Sequence, residues 1–294
     1  PGSQNLKLTR KYYTEDMPDG RVKHIVQNIT DPDIVPYIPD GIGNSTDRQR
    51  IPAVLIIPGG AFRRLVYNFG GEDVAKWLNS MGIAAFVLEC RLPSDEHDNA
   101  EDVPLIDAMR AMRVIRGRAQ EFGIDEAKIG VMGFSAGGFM AALLSTAYES
   151  DVYADYKYKD EYDKLSARPD FAVCSYPVIS IDDCIEAGKR YMSEEQVLER
   201  ISDSKAKILH KYNPDKLVRP DMPPVFICET DDDRTTLSEN SVGFYMAARK
   251  AGVSAELHIF RTGGHGYGCG DDFAQTGEWK VLFTKWIKSI GIIS

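Results

Sequence analysis

The stretch KIGVMGFSAGGFMAALLSTA, residues 128–147, joins a strand-like apolar run to a helix-like one and sets Ser135 between glycines at the junction. A hydroxyl that only capped the helix would need neither Gly133 nor Gly137. The pattern G-x-S-x-G at a strand-to-helix turn has a mechanical reading. The serine is held in a strained conformation with its oxygen presented to solvent, and the small neighbours let strand and helix approach closely. Ser135 is therefore a candidate nucleophile.

Outward from this point, apolar runs alternate with amphipathic ones from residue 51 to the end. VLIIPGG (54–60), IAAFVLEC (83–90), KIGVMGF (128–134), FAVCSYPV (171–178), PVFICET (224–230) and SAELHIFRT (254–262) read as buried strands. GEDVAKWLNSMG (71–82), DVPLIDAMRAMRVIRGRAQEFG (102–123), SENSVGFYMAARKAG (238–252) and EWKVLFTKWIKSIG (278–291) read as helices. Continuous apolar strands separated by helices predict an α/β fold, with a mostly parallel central sheet covered on both faces. Residues 1–50 look like an antiparallel edge and loops. The helical, polar stretch 180–222 is too long for a simple connection and is expected to be a cap inserted into one domain spanning 1–294.

Composition bounds the functions. With 35 basic and 44 acidic residues the formal charge is −9, and no basic run suggests a phosphate-tracking surface, so nucleic acid is not an expected partner. No apolar run approaches the roughly 18 residues that span a bilayer. The five cysteines show no paired spacing and are expected to be free thiols, which favours a soluble, cytoplasmic protein. PGSQNLKLTR has no signal-peptide core, yet its Pro-Gly-Ser reads as a scar where a leader was removed, leaving secretion or a periplasmic site open.

A serine hydroxyl needs a base, and in this order of elements the acid and then the histidine follow it. His24, His97, His210 and His258 fall in the N-terminal segment, an acidic loop, the insertion and a strand; only His265, in RTGGHGYGCG, sits in a glycine-rich loop after the last strand. The acid should follow PVFICET, among Asp231, Asp232 and Asp233. Three adjacent carboxylates cannot all face one ion, so no metal is expected there. PGGAF (58–62) follows the first long strand, and the amides of Gly60, Ala61 and Ala136 are the candidate donors to an oxyanion.

Four segments carry a resemblance: IPGGAFRRLVYNFGGEDVAKWLNSMGIAAFVLECRLP, GVMGFSAGGFMAALLSTA, RPDFAVCSYPVIS and TDDDRTTLSENSVGFYMAARKAGVSAELHIFRTGGHGYG. They are similar to bacterial α/β-hydrolases of the BD-FAE type, described as acetyl-xylan or feruloyl esterases. The resemblance implies an α/β-hydrolase fold and serine esterase action on small acylated carbohydrates without a cofactor. It places the nucleophile on Ser135 and the base on His265, and its T-x-D-D pattern makes Asp232 the acid. Pro58, Ala61 and Glu229 depart from residues common in such esterases. Rival readings are a feruloyl esterase, a prolyl-oligopeptidase-type peptidase, disfavoured because only about 50 residues precede the sheet, and a non-catalytic binding protein, disfavoured by the intact constellation.

Overall fold

Alternate side chains of the central strands point into two separate cores. Ala53, Leu55 and Ile57 pack on one face with Phe86, Val131, Cys174 and Ile227, whereas Val54 and Ile56 pack on the other with Val87, Phe134, Val173 and Phe226. This period-two division requires apolar cover on both sides, which explains the continuous apolar runs of the sequence. The computed structural model describes residues 7–41, 50–154, 160–190, 193, 195–197, 204–270 and 275–294. Its strands are β1 (Lys11–Asp16), β2 (Val22–Gln27), β3 (Asp33–Tyr37), β4 (Ile51–Ile57), β5 (Leu65–Val66), β6 (Ala84–Glu89), β7 (Ile124–Phe134), β8 (Ala172–Ser175), β9 (Val225–Thr230) and β10 (Ala255–Phe260).

Seven of them form one sheet in the order β10-β9-β8-β7-β4-β6-β3. Only the pairing of β3 with β6 is antiparallel; the other neighbours are parallel. The N-terminal region thus supplies an antiparallel edge, as its composition suggests, and its β1 and β2 form a small antiparallel sheet with β5 from the loop after β4. Helices Val103–Gly117, Ala136–Ala147 and Ser238–Lys250 cover one face of the large sheet through Leu105, Met109, Phe139 and Phe244. Asp73–Ser80 and Trp279–Ser289 cover the other through Leu78, Trp279, Phe283 and Trp286. The chain runs from β4 outward to β6, then returns past β4 to β7. Strand order reverses between β4 and β7, and the crevice beyond the carboxyl ends of such a pair is where open α/β sheets hold their ligands. PGGAF follows β4 and Ser135 follows β7.

Within the insertion expected over 180–222, helices Ile181–Lys189 and Ser204–Lys211 are present; residues 191, 192, 194 and 198–203 lie outside the described residues. The second helix is anchored to the body: Ile208 and Leu209 are buried, and Lys211 and Tyr212 meet Asp102 at 2.6 and 2.5 Å. Cys90, Cys174, Cys228 and Cys269 are buried and stand outside any disulfide. No helix among the described residues is long and apolar enough to cross a membrane.

The end of β6 is held by a buried ion pair. Arg91 is fully buried and reaches Asp107 of helix Val103–Gly117 through its guanidinium at 2.6 Å and its backbone N–H at 2.9 Å. Asp107→Ala deprives that guanidinium of its carboxylate, and breaking one side of a buried pair costs about 3–5 kcal/mol. Denaturant unfolding of the variant should show a loss of that size; a change below about 1 kcal/mol would mean that Arg91 is satisfied without Asp107.

Candidate active site

β7 ends at Phe134 and helix Ala136–Ala147 begins one residue later, leaving Ser135 alone to turn the chain at φ 56° and ψ −119°. The turn is steep enough that a Cβ on Gly133 would stand 1.9 Å from the Gly137 carbonyl oxygen, and one on Gly137 would stand 1.9 Å from that of Ile57. Both positions are glycine because backbone occupies the space. A non-glycine residue at positive φ costs about 1–3 kcal/mol and persists only where its surroundings hold it. Here the Ser135 N–H donates to Ser175 O at 3.0 Å, and Ser135 O accepts from Phe139 N at 3.0 Å.

The histidine is brought to the serine from the far side of the sheet. Thr230, the last residue of β9, donates through its hydroxyl to Gly264 O at 2.9 Å, tying the loop after β10 to the loop after β9. His265 Nε2 then lies 2.8 Å from Ser135 Oγ and its Nδ1 lies 2.6 Å from an aspartate oxygen. That aspartate is Asp233. The expectation of Asp232 is corrected: Asp232 is exposed and its Oδ1 accepts from Gly264 N at 2.8 Å, so it braces the histidine loop from outside. Asp231, also exposed, lies 3.5 Å from the Ser238 hydroxyl. Asp233 alone turns inward, because its Oδ1 accepts from the amides of Thr235 and Thr236 at 2.7 and 3.0 Å, and its Oδ2 from the Thr236 hydroxyl at 3.0 Å. The local pattern D-R-T-T is an Asx-type turn that aims the carboxylate back over its own loop.

These contacts fix the electrostatics. Burial alone would raise the Asp233 carboxyl, but the hydrogen bond from His265 and the two threonine amides outweigh it and hold the group below the usual carboxylate range. An ionised Asp233 keeps the proton on Nδ1, which leaves Nε2 to accept from the Ser135 hydroxyl. Tyr176 supports the imidazole from beneath. Its ring packs edge-to-face on His265 with centroids 4.9 Å apart, and its hydroxyl accepts from Gly268 N at 3.2 Å. Tyr176 and Thr236 carry no periodic or motif signal in the sequence; the one available hint is that Tyr176 directly follows the carboxyl end of β8. Cys228 lies nearby but burial pushes its thiol up to about 12, so it remains protonated.

Of the expected amide donors, Ala136 is the first residue of its helix, so its N–H has no partner one turn back. Helix geometry also gives that end a partial positive charge. Gly60 and Ala61 lie in the loop after β4, where Ala61 and Phe62 take φ 56° and 60° in succession. The Gly60 carbonyl accepts from Arg63 N and Arg64 N, and that of Gly59 from Val66 N at 2.8 Å. The loop is thus closed by its own carbonyls. Among the described residues no group of three or more His, Cys, Asp or Glu is arranged to hold a metal ion.

The geometry separates the three aspartates by a simple experiment. Asp→Asn removes the charge and favours the wrong tautomer, an effect of about 10⁴ in kcat in a serine protease. On the esterase activity that the resemblance implies, Asp233→Asn should lower turnover by several orders of magnitude, and Asp231→Asn and Asp232→Asn by less than about tenfold, since neither touches the imidazole. An Asp232→Asn variant as damaged as Asp233→Asn would reverse the assignment.

The BD-FAE family profile matches residues 42–247. An acetylxylan esterase from Xylanibacter ruminicola is 30% identical over 240 residues, which are 81% of this chain and 45% of that protein. Endo-1,4-beta-xylanase B of Butyrivibrio fibrisolvens is 30% identical over 77% of the chain and 34% of its own length. The chain spans less than half the length of these two relatives. Among solved structures, an acetyl ester-xyloside bifunctional hydrolase from Caldicellulosiruptor lactoaceticus is 38% identical with a TM-score of 0.72, covering 90% of this chain and 89% of that one. The propionate-bound esterase Est2 of Thermogutta terrifontis, 22% identical with a TM-score of 0.69 over 97% of this chain and 96% of its own, shares the fold. An α/β-hydrolase fold with a serine elbow and a profile match over more than half its length, this chain belongs to the BD-FAE family.

Proposed function

We propose that the protein is a serine carboxylesterase that removes acetyl groups from xylan or its oligosaccharide fragments. The observation that carries this reading is the unbroken line from Ser135 Oγ through His265 to Asp233, at 2.8 and 2.6 Å. In the first half-reaction His265 Nε2 takes the hydroxyl proton as Ser135 Oγ attacks the ester carbonyl. Negative charge develops on the carbonyl oxygen beside the Ala136 amide and the Gly60–Ala61 loop. The imidazolium, stabilised by Asp233, then delivers its proton to the departing sugar oxygen, and Ser135 is left acylated. Water, deprotonated by the same imidazole, attacks the acyl carbonyl; the bond to Ser135 Oγ breaks, the imidazolium returns the proton to that oxygen, and acetate leaves. All proton transfers in this scheme use side chains of the chain itself, so no cofactor is called for.

Two considerations favour a short acyl group on a xylan-type substrate. Gly60, Ala136 and Gly137 border a space of about 10 Å³ walled by Phe62, Leu92 and Met140. The space adjoins the Ala136 amide and is not lined by Ser135 or His265; on the proposed reading its size favours a small acyl group over an aromatic ring beside that amide. The relatives named for acetylxylan and acetyl ester-xyloside hydrolysis give the sugar side its direction.

Ser135→Ala should abolish acetate release from acetylated xylo-oligosaccharides by about 10⁴-fold or more while leaving the thermal melt in place. Retention of a few per cent of the wild-type rate in a clean preparation would remove Ser135 from the nucleophile role. For the acyl group, kcat/KM on p-nitrophenyl acetate should exceed that on p-nitrophenyl ferulate, which has the same leaving group, by at least about tenfold, as misfit by even one methylene in a tight pocket is worth about 1–3 kcal/mol. A preference for the ferulate would mean that the acyl chain lies elsewhere than in this space.

A further inference from the structure

A second carboxyl group lies behind the first. Glu229, the penultimate residue of β9, is completely buried, yet it belongs to neither the nucleophile, the base nor the donor set. Its Oε1 accepts from Thr230 N at 2.9 Å and its Oε2 meets the Ser241 hydroxyl of helix Ser238–Lys250 at 3.2 Å. It also shares a hydrogen bond with the Asp233 carboxyl. Two buried carboxyl groups in hydrogen-bond contact cannot both be ionised, because like charges at that distance repel strongly where water is excluded.

The surroundings decide which one keeps the charge. Asp233 receives four donors: the imidazole, two amides and the Thr236 hydroxyl. Glu229 accepts from one amide and one hydroxyl and meets Asp233, while the Cys228 thiol and the Tyr267 phenol act on it only electrostatically; no Lys or Arg is among these groups. Burial first, and then the charge of Asp233, push the Glu229 carboxyl well above the usual carboxylate range. The proton therefore resides on Glu229.

We propose that Glu229 is a positioning residue of this site, a neutral carboxylic acid that donates a hydrogen bond to the Asp233 carboxylate and fixes the direction in which that carboxylate faces His265. It touches no substrate and acts through Asp233 alone. The inference rests on the esterase reading and deepens it, since it supplies the element that holds the acid in place from the sheet side while Thr235 and Thr236 hold it from the loop side.

Glu229→Gln keeps the shape and a donor, whereas Glu229→Leu keeps volume and removes the donor. On p-nitrophenyl acetate the Gln variant should stay within about threefold of wild type in kcat and KM. The Leu variant should lose about tenfold to a hundredfold in kcat with KM unchanged, the size of effect that follows a misplaced catalytic group. The acid limb of kcat/KM reports the free enzyme's base. Because Gln replaces a neutral group, that limb should not move. A Leu variant with wild-type kcat, a Gln variant as crippled as Leu, or an acid limb lowered by about half a unit in the Gln variant would each overturn the proposal.

Stability gives a readout that does not depend on turnover. With the folded-state carboxyl raised, the unfolded chain releases its proton first, so wild type loses stability as pH rises above the ordinary glutamate value. The Gln variant lacks this loss, and its Tm relative to wild type should climb between about pH 5 and pH 8. A constant difference over that range would show an ionised Glu229 and overturn the assignment, also where the Leu variant does not fold. Failure of the esterase reading is distinguishable, because wild type would then release no acetate while the pH-dependent Tm difference remained.

Discussion

One backbone contact sets the terms for everything around it: the carbonyl of Gly137 passes where a Cβ on Gly133 would stand, 1.9 Å away. A strand can turn directly into a buried helix only if the two backbones touch, and they can touch only where side chains are absent. The cost is a serine at positive φ, and the return is a hydroxyl raised above the carboxyl end of the sheet. The same contact brings helix Ala136–Ala147 back across β7 and β8, so that its apolar side, including Phe139, Leu143 and Leu144, becomes part of one core. Fold and site therefore share a single steric condition.

A second condition is electrostatic. The site keeps one negative charge at Asp233 and surrounds it with donors instead of cations. This is the arrangement a base-assisted nucleophile needs. A permanent positive charge beside Asp233 would stabilise the carboxylate at rest and, in the proposed reaction, weaken its response to the imidazolium. Oriented amides and hydroxyls hold the carboxylate in place without competing for it, and they need no reorganisation when the proton moves. Tyr176 and Tyr267, packed with centroids 4.5 Å apart, wall the histidine loop against water on the sheet side.

How much of this was legible in the sequence depends on what each residue answers to. Strands and helices respond to periodicity, and outside 180–222 the strands and helices expected from residue 51 onward appear within a few residues of their reading, because two-faced burial leaves an apolar run no alternative. Ser135 and His265 were identifiable as the pair the turn and loop bring together, one by the glycines about it and the other by exclusion. Asp233 was not, because adjacent carboxylates in an irregular turn look alike in sequence and a family register shifted by one position selects the wrong one. The discriminating signal lay on the other side of the residue, in Thr235 and Thr236, whose amides capture the carboxylate. Tyr176 was illegible for a related reason: its role depends on packing against a loop 89 residues later, which no local pattern encodes.

Strain is distributed in a way that links these points. Six described residues other than glycine have positive φ, and four of them, Ala61, Phe62, Ser135 and Tyr176, stand around the same crevice. Each unfavourable torsion is tied to something rigid. The ring of Phe62 packs edge-to-face on Phe139, with centroids 5.5 Å apart, so the loop after β4 is clamped to the helix that follows Ser135. Ser135 hangs from Ser175 O, and Tyr176, the next residue along that strand, donates its N–H to Cys228 O at 2.7 Å. The loop after β4, the elbow after β7 and the turn after β8 are thus locked to one another by backbone bonds and core rings, not by flexible surface contacts. Strain of about 1–3 kcal/mol per residue is tolerable only under such clamping. The same clamping holds the Ser135 hydroxyl, the ring beneath His265 and the Ala136 amide in fixed relation, so that in the proposed reaction the ordering needed for attack on an ester is already contained in the folding of the sheet.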